Sequence, residues 1–259
     1  MQKSRSSVLS LMDISHAPSI VFLHNPKAGG TSLASSFAVA MGMDPTPIPL
    51  DNSPHDLDIE RWKQVAHLPF VRGHMGWNAK RAMLSRHLAI TNFRNPVSRT
   101  VSLYVYLRAY VHPKGLPPLA EPNGPTFARS LSFADFIRSS DPFLNLYLDN
   151  FHTRQLLSDP WRPKRLTPLD LWIVHRRIAA MPWFYVCEDP ERSIAWLRTA
   201  FPAVWERFAM ERLNKSPARD FEITDVDREV IMQRNRHDAK LHLYAKKLLR
   251  AAAPSSVEV

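Results

Sequence analysis

The chain has 259 residues, 45% of them hydrophobic, with one cysteine and 34 Lys and Arg against 24 Asp and Glu, a formal net charge of +10. That is enough apolar material for the core of one large α/β domain, and too few cysteines for an intrachain disulfide. The basic excess favours anionic partners, but no zinc-finger spacing, aromatic RNA-binding signature or dense Lys/Arg arm points to nucleic acid. No apolar run approaches the roughly 20 residues of a membrane span, and residues 1–18 lack the apolar segment of a signal peptide. A reducing cytoplasm is therefore the expected location, with Cys187, which follows the apolar run Trp183–Val186, a buried structural thiol.

Residues 1–18 read as a loose lead-in, 19–250 as one domain and 251–259 as a tail. Ile20, Val21, Phe22 and Leu23 have the length of a buried strand. His24, Asn25 and Pro26 then turn the chain, since Pro26 has no N–H for a central ladder. From Thr31 onward, Leu33, Ala34, Phe37, Ala38 and Met41 recur at helical spacing. Met43–Pro54 reads as a proline-bearing loop. Asp56–Ala66 reads as a helix with Leu57, Trp62 and Val65 on one side. Leu68–Val71 is a second strand leading into Arg72–Asn78, R-G-H-M-G-W-N. His87–Phe93 is a third strand leading into Arg94–Ser102, where Asn95 suits an N-cap and Pro96 the first helical position. Val97, Val101, Tyr104 and Val105 give that helix an apolar face.

Val111–Thr126, rich in Pro and Gly, reads as a long loop. Helices are expected at Ser132–Ser139, Pro142–Leu157 and Pro168–Ala180. Trp183–Cys187 is a fourth strand, and Asp189–Phe201 is a helix capped by Asp189. A polar loop, Glu211–Arg219, precedes one long helix from about Asp225 to Arg250. Strands alternating with helices imply a mostly parallel central sheet covered on both faces, a single-domain α/β fold.

The first strand, the loop P-K-A-G-G-T-S and a helix N-terminus form a sequence suited to anions. Free N–H groups and the helix dipole favour phosphate there, and Gly29 and Gly30 let backbone approach a ligand. Lys27 adds a charge; Thr31 and Ser32 add hydroxyls. Lys27 precedes both glycines, whereas a Walker A loop places its lysine after the second. Together with the lack of an evident acidic magnesium ligand, that argues against a kinase or ATPase.

Three segments in order, P-K-A-G-G-T-S, then Arg94 with Ser102, then Asn214-Lys215-Ser216, resemble the sulfotransferases that use 3′-phosphoadenosine 5′-phosphosulfate, nearest the uronyl 2-O type and its bacterial cousins. The similarity runs from about residue 19 to 245 and includes V-C-E-D-P-E-R near Val186 and D-A-K-L-H-L-Y near Asp238. It implies a P-loop-like sulfotransferase fold. Lys27, Ala28, Gly29, Gly30, Thr31 and Ser32 would hold the 5′-phosphosulfate, with Arg94 and Ser102 at the 3′-phosphate and Asn214, Lys215 and Ser216 closing over the nucleotide. His74 falls where the family's second histidine, its general base, stands. Arg72 replaces the first histidine and is a candidate contact for an acidic acceptor. Ala28 stands for a frequent Thr, and Asn95 for a frequent Asp. Glu60 is the substitute base if His74 is not one.

The implied reaction is direct in-line sulfuryl transfer to a hydroxyl, most simply of a carbohydrate, with Lys27 and His74 catalytic. A peptide tyrosine, a lipid, a small metabolite, or a nucleotide-binding module without catalysis are the alternatives. Acceptor contacts are expected from Met43–Glu60 and Val111–Thr126. His112, His152, His175, His237 and His242 lack metal-ligand spacing, so no metal is expected.

Overall fold

The structure, a computed structural model, describes residues 18–44, 63–83, 87–112, 123–210 and 219–253. Its centre is a four-stranded, all-parallel sheet of β1 (Ile20–Leu23), β2 (Phe70–Gly73), β3 (Leu88–Phe93) and β4 (Phe184–Val186) in the order β2-β1-β3-β4. Helices cover both faces. The expected α/β class and parallel sheet are thus present. Because all strands run the same way, the segments after β1, β2, β3 and β4 emerge at one edge. The order reverses between β1 and β3, the switch point where open parallel sheets leave a crevice.

Alternation along the strands divides the core. Ile20, Phe22, Phe70, Ile90, Trp183 and Tyr185 face α1 (Gly30–Ala40), α9 (Pro190–Ala200) and α10 (Pro202–Trp205). Phe37 of α1 lies 5.7 Å from Phe70 and 5.5 Å from Trp183, ring centre to ring centre. Truncating such a buried aromatic typically costs about 3–5 kcal/mol. Val21, Leu23, Val71, Ala89, Phe93, Phe184 and Val186 face the other way. There they meet α2 (Trp77–Ala82), α7 (Phe151–Leu157), α8 (Pro168–Ala179) and α12 (Arg236–Ala252). A third apolar cluster joins α3 (Pro96–Ala109) to α4 (Gly124–Ser130), α5 (Phe133–Arg138), α6 (Pro142–Leu148) and α11 (Asp225–Arg234).

Several local expectations hold in detail. The Asn95 side chain accepts from the N–H groups of Val97 and Ser98, with Pro96 as the first helical residue. The five apolar positions chosen on α1 are all buried. Others need correction. Strand β2 runs on through Arg72 and Gly73, paired with Phe22 and Leu23. On α3, Leu103, Tyr104 and Leu107 are buried, while Val97, Val101 and Val105 are half-buried. Asp189 does not cap α9 with its side chain. It pairs with Arg192, and its carbonyl accepts from the Ser193 hydroxyl. Ser193 Oγ in turn accepts the Val186 N–H, which fixes α9 to the end of β4.

The expected helix Pro142–Leu157 is two helices, α6 and α7, and the expected helix Asp225–Arg250 is α11 and α12. Both breaks fall at asparagines that face each other. Asn150 takes a left-handed backbone (φ 45°), which asparagine tolerates better than most residues. Its Nδ2 donates to the Arg234 carbonyl, and its Oδ1 accepts the N–H groups of His237 and Asp238 at the start of α12. Asn235 Oδ1 accepts the Asn150 N–H and a donor of the buried Arg99. These long-range bonds replace two helical turns that local spacing alone would continue.

The long loop at Val111–Thr126 ends earlier than expected, because Asn123 caps α4. Residues 113–122 lie outside the described residues, as do most of the expected helix Asp56–Ala66, Glu60 included, the lead-in 1–17 and residues 254–259, while the last helix runs two residues past Arg250 into the expected tail.

Asp238 caps α7 from another helix. Its carboxylate accepts the N–H groups of His152 and Thr153 and the Thr153 hydroxyl, the last two at 2.8 and 2.6 Å. It is 6% exposed. Removing such an acceptor strands three buried donors. Asp238→Ala should therefore lower unfolding free energy by roughly 2–3 kcal/mol, read as a lower urea midpoint with an unchanged slope.

Candidate active site

The loop after β1 sits at the switch point, and its carbonyls are held by side chains drawn from distant parts of the chain. The His24 carbonyl accepts from His74 Nδ1 at 2.9 Å and from Gln155 Nε2 at 3.1 Å. Asn92 of β3 donates through Nδ2 to the carbonyls of Asn25 (3.1 Å) and Ala28 (2.7 Å), and its Oδ1 takes the Asn25 N–H. Arg94 donates to the Lys27 carbonyl at 2.8 Å. In a trans peptide the carbonyl and the following N–H point in opposite directions. Fixing the carbonyls of Lys27 and Ala28 on Arg94 and Asn92 therefore turns the N–H groups of Ala28 and Gly29 away from those anchors.

Two residues of this loop have left-handed backbones, Lys27 (φ 64°) and Gly29 (φ 75°). Gly29 is the N-cap of α1 and supplies no side-chain cap to the helix. The helix therefore presents the N–H groups of its first turn, and its positive dipole end, to an incoming anion. Gly30 is required for packing. A Cβ there would lie 2.0 Å from Cδ2 of the His24 ring. His24 itself stacks on Phe22 and lies 4.5 Å from His74, ring centre to ring centre. Burial, together with the neighbouring His74, Arg72 and Lys27, holds His24 well below its ordinary value, so it is neutral at physiological pH.

The ring of Tyr106, on α3, carries the Lys27 ammonium over its face at 3.8 Å. Burial, and then the Arg94 charge, lowers Lys27 to about 8. The lysine is thus charged at neutral pH and close to the point where it loses its proton. For His74 the bond to His24 settles the tautomer. A carbonyl only accepts, so Nδ1 carries a proton, and in the neutral ring Nε2 is the nitrogen with the lone pair, the form a general base needs. His74 is partly exposed.

The sequence-predicted residues divide as follows. The structure brings Lys27, Ala28, Gly29, Gly30, Thr31, Ser32, His74 and Arg94 to one sheet edge. Ser102 is buried on the second turn of α3, and Arg72 is 8% exposed within β2. Asn214, Lys215 and Ser216 lie outside the described residues. Cys187 is half-buried rather than buried as expected; it packs against the core, and the desolvation of its thiol pushes it up to about 12, as suits a structural cysteine. Sequence reasoning missed Asn92, Gln155 and Tyr106. For Tyr106 a signal was present: Ser102, Tyr106 and Tyr110 recur every four residues on the helix that follows Arg94. The two other segments quoted for the resemblance meet as scaffold. Glu188 accepts the Asn95 N–H and lies 2.8 Å from His242 Nε2, so it ties the start of α3 to α12.

Behind the site, His152 Nε2 donates to Thr91 Oγ1, whose own proton goes to the Leu23 carbonyl. Burial lowers His152 to about 3. Its ordinary value in the unfolded chain is near 6.5. Between the two values the unfolded chain binds the proton and the fold does not. The stability is therefore intact above pH 6.5 and lost as pH falls toward 3, at up to about 1.4 kcal/mol per pH unit per histidine; His24 acts in the same sense. Urea unfolding at pH 7.5 and 5.0 should give a clearly lower midpoint at 5.0. An equal midpoint would contradict the burial of these rings.

Among the described residues, no group of three or more His, Cys, Asp or Glu side chains is placed to hold a metal ion, and no helix is long and apolar enough to cross a membrane. No protein-family model matches the chain, and no curated protein matches it.

Proposed function

We propose that the chain is a sulfotransferase that moves a sulfuryl group from 3′-phosphoadenosine 5′-phosphosulfate to an acceptor hydroxyl, most simply of a carbohydrate. The observation that carries this reading is convergence. Arg94 and His74, each standing just past a different strand, both bond to the backbone of the single loop that bears Lys27 and leads through Gly29 into α1. An anion-binding loop, a cation for a second phosphate and a base-ready imidazole are the parts such a transfer requires.

The residues fit the nucleotide. The N–H groups of Ala28 and Gly29 and the start of α1 suit the phosphosulfate. Arg94 uses one guanidinium N–H on the loop, which leaves further donors to grip the 3′-phosphate in the paired, charge-assisted manner arginine favours. Ser102, on the helix that Arg94 leads into, is assigned to the same phosphate. When bound, the nucleotide supplies the activated sulfuryl group.

His74 Nε2 takes the acceptor's hydroxyl proton as the new O–S bond forms. Lys27 leaves the Tyr106 face and offsets the charge that builds on the phosphate oxygen as the old S–O bond breaks. That charge has few other partners, so Lys27 acts on the transition state more than on binding.

Calorimetry should show adenosine 3′,5′-bisphosphate binding far more tightly than AMP, by the ~1.5–3 kcal/mol typical of a charge-assisted contact. Arg94→Ala should close most of that gap. Equal affinity of the wild type for the two nucleotides would overturn the assignment. Turnover, more than affinity for the bisphosphate, should fall as pH rises through about 8, where Lys27 loses its charge, and Lys27→Arg should carry that fall to higher pH.

Turnover on an acceptor should drop ~10²–10⁴-fold in His74→Ala while nucleotide affinity stays near wild type, as for loss of a positioned general base. Near-normal turnover would assign the proton to another group.

A further inference from the structure

A cavity of about 690 Å³ lies between α6, α7, the segment 163–166 and the junction of α11 with α12. None of the residues placed in the candidate active site lines it. Helix α7 stands between the two: His152 and Gln155 reach β3 and the β1 loop, whereas Arg154, between them in sequence, lines the cavity.

Its charge is one-sided. Five lining side chains are Arg or Lys (Arg154, Lys164, Arg165, Arg234 and Arg236), and one, Asp149, is a carboxylate. Two of the five are walls. Arg154 spends its donors on main-chain carbonyls, among them those of Asp149, Pro160 and Leu146. Arg234 bonds Asp149 at 2.6 Å and the carbonyls of Ile137 and Ser139. These bonds fix the shape of the cavity, and the Arg154 charge is partly offset by the nearby carboxylates of Asp238, Asp149 and Asp159. Lys164 pairs with Asp170. The exposed guanidiniums of Arg165 and Arg236 form no ion pair among the described residues, and Arg236 makes only a contact with His237. Amide groups of Asn145 and Gln233 and the apolar sides of Leu146 and Leu166 complete the lining. The volume falls within the roughly 300–1,000 Å³ of small-molecule sites. It exceeds what one inorganic anion fills.

We propose that this cavity is a second binding site, for a small ring-bearing ligand that carries two or more phosphate or sulfate groups. The fixed arginine walls set the shape, Arg165 and Arg236 engage the anionic groups, and the leucines meet the ring. The inference does not depend on the sulfuryl-transfer reading.

The test is calorimetric titration of the full chain with inositol hexakisphosphate and, separately, with sucrose octasulfate, at low and physiological salt. Saturable one-to-one binding is expected for at least one probe, and the tighter of the two identifies the phosphate or the sulfate source. The double variant Arg165→Ser/Arg236→Ser should weaken binding at least tenfold with its circular dichroism unchanged. Lys27→Ala should bind as wild type. A control that removes two exposed cations elsewhere, Arg198→Ser/Lys247→Ser, should have little effect. The proposal is overturned by absence of saturable binding, by equal loss in the control, or by loss in Lys27→Ala with the double variant unaffected.

Discussion

The carbonyls of one loop are the constraint on which the site depends. Those of His24, Asn25, Lys27 and Ala28 are each taken by a side chain from elsewhere in the sheet or its helices. A short loop with two left-handed residues would otherwise sample several conformations, at a conformational cost on ordering of about 1–2 kcal/mol per residue. Here the cost is met when the protein folds. The N–H groups that the proposed anion would meet are held in position beforehand, which is the condition for strong electrostatic stabilisation.

The anchors couple the site to the rest of the fold. Asn92 is a buried residue of β3, so the loop is fastened to the strand across the switch point. Gln155 belongs to α7, which Asp238 of α12 caps, so the C-terminal helix supports the loop through two steps. Arg94 stands between β3 and α3, and Glu188 steadies the next residue by accepting the Asn95 N–H. The segments after β3 and β4 and the last helix thus converge on the same few ångströms of backbone. Lys27 is the exception to this rigidity. Its side chain rests on Tyr106, a contact worth about 0.5–2 kcal/mol depending on how far water is excluded, and is released at modest cost.

Much of this was legible in the sequence, for local reasons. The Ile20–Leu23 run, the glycines after it, the α1 stripe and the Asn95-Pro96 start are each specified by residues a few positions apart, and the structure reproduces them. What was not legible depends on contacts across long separations. Asn92 reaches residues 67 and 64 positions away, and Gln155 one that is 131 away. Nothing in the local spacing of either residue marks it as an anchor. The breaks at Asn150 and Asn235 escaped for the same reason. Each asparagine is acceptable inside a helical pattern, and only their mutual bonding, with Arg99 alongside, makes two shorter helices the better solution. Asp189 shows the reverse error, a good local cap residue whose carboxylate is drawn to Arg192.

The most direct test of the account follows the backbone amides of the loop. Amide NMR spectra recorded during titration with adenosine 3′,5′-bisphosphate should show the largest shifts at Ala28, Gly29, Gly30 and Thr31. The Arg94 side-chain signal should move at the same ligand concentration. Shifts confined to residues away from the β1 loop, or no saturable change at all, would contradict the assignment of this loop as the nucleotide site.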